Sequence, residues 1–219
     1  MSVSDYKAEF EKMLNRDYFS KFLHPHRKEA FAQLEKTGFP NRKWEDWRFT
    51  NVSTISNGEF NISEIMDAPQ NTPNISAYKM EGVDTVVIYN GHYQKELSTV
   101  PDGVALLSGL EYFERKNGKF DTANNSPFDL LNTAFTDSGM CIVVEKDTQV
   151  EIPIRILFIS NGVRSIMVNP RVYIDVAESS SLTFMEHHVG DAESFFQNES
   201  VFISLENNAQ LNHIRIQSN

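Results

Sequence analysis

Three segments in the last third of the chain align without gaps, and this repeat restricts the possible folds more than any other feature. They are residues 139–150, 171–182 and 200–211. Stacked on one another, they give apolar columns Met140/Val172/Val201, Ile142/Ile174/Ile203, Val144/Val176/Leu205 and Val150/Leu182/Leu211. Apolar residues at every second position describe a strand, and the polar triplets Glu145-Lys146-Asp147, Ala177-Glu178-Ser179 and Glu206-Asn207-Asn208 describe a turn after it. The spacing is 32 residues from Val144 to Val176 and 29 from Val176 to Leu205. One coil of this kind cannot bury its apolar face alone, so equivalent strands are expected to stack in parallel as a β-solenoid. A β-sandwich also has short strands at regular spacing, but does not require one side-chain column to recur with one turn length.

The first fifty residues read differently. Val3, Tyr6, Phe10, Met13 and Leu14 recur at spacings of three and four, as on one face of a helix, and Phe19 and Phe22 extend the series. Pro25 suits the first turn of a second helix carrying Ala30, Phe31 and Leu34, and Gly38 with Pro40 supplies its stop. Residues 3–37 are therefore expected to form a helical hairpin. Charge changes at the same place, from a net of +2 over residues 1–50 to −12 over the remainder. Three regions follow: 1–50, a helical hairpin with a Trp-rich segment; 51–138, a linker, β-hairpin and short helix; and 139–219, the solenoid coils. In the middle region Asn57-Gly58, Pro69, Asn71, Pro73 and Asn74 mark loop, Val86–Tyr89 followed by Asn90-Gly91 marks a hairpin, and Ser126-Pro127 starts a helix that ends by Gly139.

A net charge of −10 and a pI near 5.1 argue against nucleic-acid binding, which rests on basic contacts to phosphate. No apolar run approaches a membrane span and no basic start precedes an early apolar run, so the expected location is the cytoplasm. The single cysteine, Cys141, allows no internal disulfide and no all-cysteine metal site within one chain. Trp44, Trp47 and Phe49, flanked by Arg42, Lys43 and Arg48, form either a stacking platform for a base or flavin or, the preferred reading, a packing plug at a junction. Glu186, His187, His188 and His213 are the one histidine-rich group, and they suit either a metal held by His187 or His188 with His213 or a polar ladder on the solenoid surface. The ladder, with Glu186 opposite Arg215 and His188 opposite Gln217, is the expectation. There is no phosphate loop and no nucleophile elbow. Asp175 is the only carboxylate in the first strands of the three segments, which weakens the alternative of a carbohydrate-binding or carbohydrate-active solenoid. The chain is not expected to be an enzyme.

Several stretches carry a resemblance. Glu45-Asp46-Trp47-Arg48-Phe49-Thr50 is similar to the E-x-W-[KR]-[YF]-T signature of the SufD family, a β-helix subunit of the SUF (SufBCD) iron–sulfur cluster assembly machinery. Val86–Gly91 with Leu97-Ser98, Phe128–Phe135 with Gly139, Ile152-Pro153-Ile154, Arg171, and Asn208-Ala209 followed by His213 and Gln217 fit the same family in order and spacing. The resemblance runs from about residue 27 to the C-terminus. It implies a mainly β fold, with an N-terminal helical domain followed by a right-handed parallel β-helix, here truncated. It also implies a scaffold that pairs with SufB and SufC homologues in a complex that handles an iron–sulfur cluster and binds flavin and ATP. Family members run to roughly twice this length, and the cluster-ligating histidine proposed for them belongs to the other half. No catalytic, cofactor-binding or metal residue is therefore carried over, and this chain alone is expected to hold no cofactor. An open solenoid edge at the C-terminal coil also leaves room for a homo-oligomer.

Overall fold

A computed structural model describes residues 3–15, 21–58, 60–62, 74–116, 126–136, 139–161, 165–190 and 194–218. In chain order these form α1 (Lys7–Leu14), α2 (His24–Thr37), α3 (Ser53–Ser56), β1 (Asn61–Ile62), β2 (Asp84–Tyr89), β3 (His92–Gln94), β4 (Val104–Ser108), α4 (Gly109–Arg115) and α5 (Pro127–Phe135). There follow β5 (Met140–Val144), β6 (Ile154–Ser160), β7 (Ile166–Val168), β8 (Arg171–Val176), β9 (Ser181–Gly190), β10 (Phe195–Gln197), β11 (Ser200–Leu205) and β12 (Gln210–Gln217). The fold is mixed α/β, with about 36% strand and 31% helix, rather than mainly β. The excess of helix over expectation comes from α3, α4 and the 3₁₀ turns of the first half.

From β5 onward the chain visits three sheets in a fixed order. β5, β8 and β11 pair in parallel in sheet C, β6, β9 and β12 in sheet B, and β7 and β10 in sheet A. The register reproduces the apolar columns: Met140, Ile142 and Val144 pair with Val172, Ile174 and Val176, which pair in turn with Val201, Ile203 and Leu205. Leu182 pairs with Leu211. The turns recur as well. Asp147, Ser179 and Asn208, at the same place in each segment, all have φ of 59°. Short polar side chains tolerate this left-handed conformation best after glycine, which accounts for the residue types found there. Backbone bonds continue around the corner, from Asp147 N–H to Glu178 O and from Ser179 N–H to Asn207 O, both 3.0 Å.

Below the first repeated pass lies a layer that does not repeat in sequence. β1 pairs in parallel with β7 in sheet A and β2 with β6 in sheet B, while β4 closes sheet C antiparallel to β5. The hairpin expected at Asn90-Gly91 is present as β2 and β3. The stretch expected to be loop between residues 51 and 80 contains α3, β1 and a 3₁₀ turn over Ser76–Tyr78; Pro69, Asn71 and Pro73 fall outside the described residues.

Sheets B and C enclose an apolar interior of Val86, Ile88, Ile142, Ile154, Ile156, Phe158, Ile174 and Phe184 with their neighbours. The helices cover the outside. Tyr6, Phe10 and Met13 on the first helical face, and Phe31 and Leu34 on α2, share one core with Leu131 and Phe135 of α5 and with Ile62, Met167 and Phe196 of sheet A. Phe10 stacks on Phe31 at 4.2 Å between ring centres. Phe22 is exposed and does not extend that face, and Phe19 lies outside the described residues. Ser126 caps α5 and Pro127 occupies its first turn. Buried Asn132 of α5 then donates to Pro170 O at 3.1 Å and Asn198 O at 2.7 Å, joining the helix to the same corner of two successive passes. Gly139, at φ 119°, immediately precedes β5, where a Cβ would overlap the Arg171 carbonyl.

Position in the stack sets the value of each column residue. Ile174 is fully buried between two passes, whereas its partner Ile203 is 42% exposed on the outer strand. Ile174→Ala should cost about 3 kcal/mol of unfolding free energy, and Ile203→Ala less than about 1 kcal/mol. Urea unfolding of both variants measures this; equal losses would contradict the stacking order.

Candidate functional site

The interior of sheet B changes character along the stack. Because the register is fixed, one column reads Val86, Ile156, Glu186, Arg215, and the next reads Ile88, Phe158, His188, Gln217. A third runs Ile154, Phe184, His213. Lower residues of each column sit in the apolar core, so Glu186 and His188 point inward with them. Glu186 is 1% exposed. This corrects the expectation of a surface ladder: the partners across the strands are the expected ones, but the carboxylate is enclosed. Each imidazole lies flat on the aromatic ring below it, His188 on Phe158 at 4.7 Å and His213 on Phe184 at 5.1 Å.

A buried carboxylate needs neutralising partners. Glu186 Oε1 lies 2.7 Å from His213 Nε2, and Oε2 lies 3.3 Å from Arg215 Nη1 and 3.5 Å from His188 Nε2. Burial alone would raise its pKa, but the nearby His188, the charge of Arg215, and His213 outweigh it and hold the carboxyl below its ordinary value. Glu199 completes the group. It stands just before β11, 3.7 Å from His188 Nε2, with its Oε1 paired to Arg215 Nη2. Gln197 Nε2 lies 3.0 Å from His188 Nδ1 on the other side of the ring. The cluster opens into a pocket of about 310 Å³ lined by Ser160, His188, Gly190, Gln197, Glu199 and Arg215.

His187 faces the opposite way, next to Ser218 Oγ at 3.2 Å. Its pKa is lowered by burial, with Arg155 and His188 adding repulsion. It cannot join His188 around one ion, as strand alternation implied. Glu199 escaped the sequence reading because it falls one residue before the third aligned segment. The signal for Glu186 was available: Leu182 belongs to a core column, and counting by twos from it reaches Phe184, Glu186 and His188.

The other candidates fall elsewhere. Trp47 packs on Phe128 at 5.3 Å, Phe49 is 93% exposed with Arg48 over its ring, and Trp44 is half-buried. The segment thus meets α5 through Trp47, which is the plug arrangement, and its three rings do not form one platform. Cys141 is fully buried beside Tyr173 under Tyr112 and Phe113 of α4, and burial pushes its thiol far above the usual range, which leaves it un-ionised.

Two family models cover this architecture. The SufBD protein N-terminal region matches residues 3–156, and the SufBD core domain of the SUF iron–sulfur cluster assembly system matches residues 158–219. The chain belongs to the SufBD family. Iron-sulfur cluster assembly protein SufD of Escherichia coli is 28% identical over 199 residues, covering 88% of this chain and 45% of the relative. A SufBD family protein of Synechocystis is 25% identical over 87% of this chain and 46% of its own length. Protein ABCI7, chloroplastic, of Arabidopsis thaliana is 29% identical over 84% of this chain and 42% of its own length. The SufBD chain thus spans about half the length of the curated relatives it matches. The junction of the two family models, at residues 156–158, lies inside β6, so both meet within the first repeated pass.

The depressed pKa of Glu186 fixes the sign of a pH effect. Its contribution to stability is complete above the ordinary value of 4.5 and is lost as pH falls through the lower folded value. Glu186→Gln should cost about 2 kcal/mol at neutral pH and flatten the loss of stability in acid. Urea unfolding between pH 7 and the acid limit tests it; an unchanged acid slope in the variant would contradict the ionised, enclosed carboxylate.

Proposed function

We propose that this chain is a non-catalytic scaffold segment of an iron–sulfur cluster assembly complex, and that its three-sheet stack is the opening of a right-handed parallel β-helix. The observation that carries the reading is the match of both SufBD family models to a chain whose strands recur in parallel and in register. The name of the Escherichia coli relative, an iron–sulfur cluster assembly protein, points to the same process. In this reading the cluster is cargo, the partners are SufB- and SufC-type subunits, and flavin and ATP belong to the assembly rather than to this chain.

A scaffold of stacked passes offers its ends and its covered faces to other chains. β11 and β12 form the outer edges of sheets C and B, and Ile203, Leu205 and Ile214 are exposed there. Unsatisfied strand edges with apolar side chains favour the addition of further parallel strands, and they favour self-association when no partner is supplied. No helix among the described residues is long and apolar enough to cross a membrane.

Co-expression of the full chain with SufB- and SufC-type subunits tests the reading. The expected result is co-elution of all three through size-exclusion chromatography, with no ATP hydrolysis by this chain alone. Elution apart from both partners, or ATP turnover by the isolated chain, would contradict it.

A further inference from the structure

We propose that Glu186, His188 and Glu199 form an interior site for a first-row divalent metal ion, which Arg215 closes when no ion is bound. The inference stands on the side-chain geometry and does not depend on the scaffold reading. One ligand atom each from Glu186, His188 and Glu199 lies within 4.8 Å of the others, two of the residues on β9 and the third at the corner before β11. Two of the separations are 3.5 Å and 3.7 Å. Ligands about 2.1 Å from a tetrahedral ion stand about 3.4 Å apart, so these two pairs already stand close to ligating distance. Glu186 Oε2 and His188 Nε2 are both buried and face each other, and among the described residues neither makes a well-formed hydrogen bond, Oε2 being met by Arg215 as an ion pair. Two carboxylates and one imidazole form a donor set suited to zinc, iron or manganese in the divalent state.

The surroundings fit the same purpose. His213 holds the other oxygen of Glu186 at 2.7 Å, which orients the carboxylate and leaves Oε2 to Arg215 or, in its place, to an ion. Gln197 flanks His188 Nδ1 at 3.0 Å, and Ser160 Oγ lies 3.2 Å from its Oε1. With its amide turned so that oxygen meets the ring, Gln197 accepts the Nδ1 proton and leaves the Nε2 lone pair for a metal. The adjoining pocket of about 310 Å³ leaves the fourth coordination position open.

Arg215 supplies the alternative charge. Its guanidinium reaches Glu186 Oε2 at 3.3 Å and pairs with Glu199, so it binds the two oxygens an ion would take. It sits on the outer strand with its side chain 47% exposed, and can leave toward solvent without breaking the core. With Arg215 the two carboxylates keep one net negative charge; a divalent ion in its place neutralises both. The ion and the arginine therefore compete, and removing the arginine side chain should tighten metal binding.

The test is titration of the metal-free full chain with Co(II) and Zn(II), read by visible absorption and by calorimetry. One equivalent should bind, with Co(II) giving the intense visible bands of a four-coordinate site. Glu199→Gln and His188→Gln should each weaken binding at least tenfold, while Arg215→Gln should strengthen it, in variants whose circular dichroism shows the native fold. The absence of saturable binding, equal affinity in Glu199→Gln and His188→Gln, or no gain in Arg215→Gln would each overturn the proposal.

Discussion

The parallel backbone ladder between successive passes determines where every side chain of this protein can go. Once β6, β9 and β12 are locked in register, a residue lies directly over its counterpart one pass earlier, and its inward or outward direction is inherited. Where the column stays apolar, as in Ile142 and Ile174, the result is a continuous core, which Ile203 carries on to the exposed outer strand. Where the sequence changes to Glu186 above Ile156, the same ladder holds a carboxylate inside the stack. No rotation or slip can release it without turning Phe184 and His188 out as well. The charge must be met on the spot, and Arg215, His213 and His188 are the groups that the next strand and its own strand provide.

The helices make this stack viable at its base and sides. Below β5, β6 and β7 the chain adds β4, β2 and β1, so the first repeated pass never presents a bare lower edge to water. The outer face of sheet C carries Cys141, Tyr173 and Phe202, with α4 over it through Tyr112 and Phe113. Sheet A faces α5 and the two N-terminal helices. Asparagine side chains tie these layers together. Asn198 donates to Asn169 Oδ1 and is close enough to donate to Phe128 O, each at 2.9 Å, at the corner where Asn132 meets the backbone. The helical segment therefore contributes one wall of a shared core.

What could be read from the sequence follows the same logic. The pairing of Met140, Val172 and Val201 was legible because equal turns separate equal strands, leaving one register. Sheet A was not, since β7 and β10 have three residues each and no alternation long enough to detect. Nor was the stacking of the layer under the repeat: β2 was legible as a hairpin strand, but β1, β2 and β4 do not resemble the coils, and β4 runs antiparallel. The inward direction of Glu186 was implied by its spacing from Leu182. Its charge argues for the surface, and the apolar column beneath it in the paired strands overrules that. Glu199 could not be placed at all, because it takes the position that proline holds one pass earlier, at a corner rather than on a strand.

The register is what most directly exposes this account to test. Asn212 and Thr183 are paired across β12 and β9, whereas Ser181 lies two residues away on the same face as Thr183. Disulfide formation under mild oxidation should occur in Asn212→Cys with Thr183→Cys, where neighbouring backbones stand about 5 Å apart, and not in Asn212→Cys with Ser181→Cys. A disulfide in the shifted pair and none in the registered one would mean that the passes do not stack residue on residue.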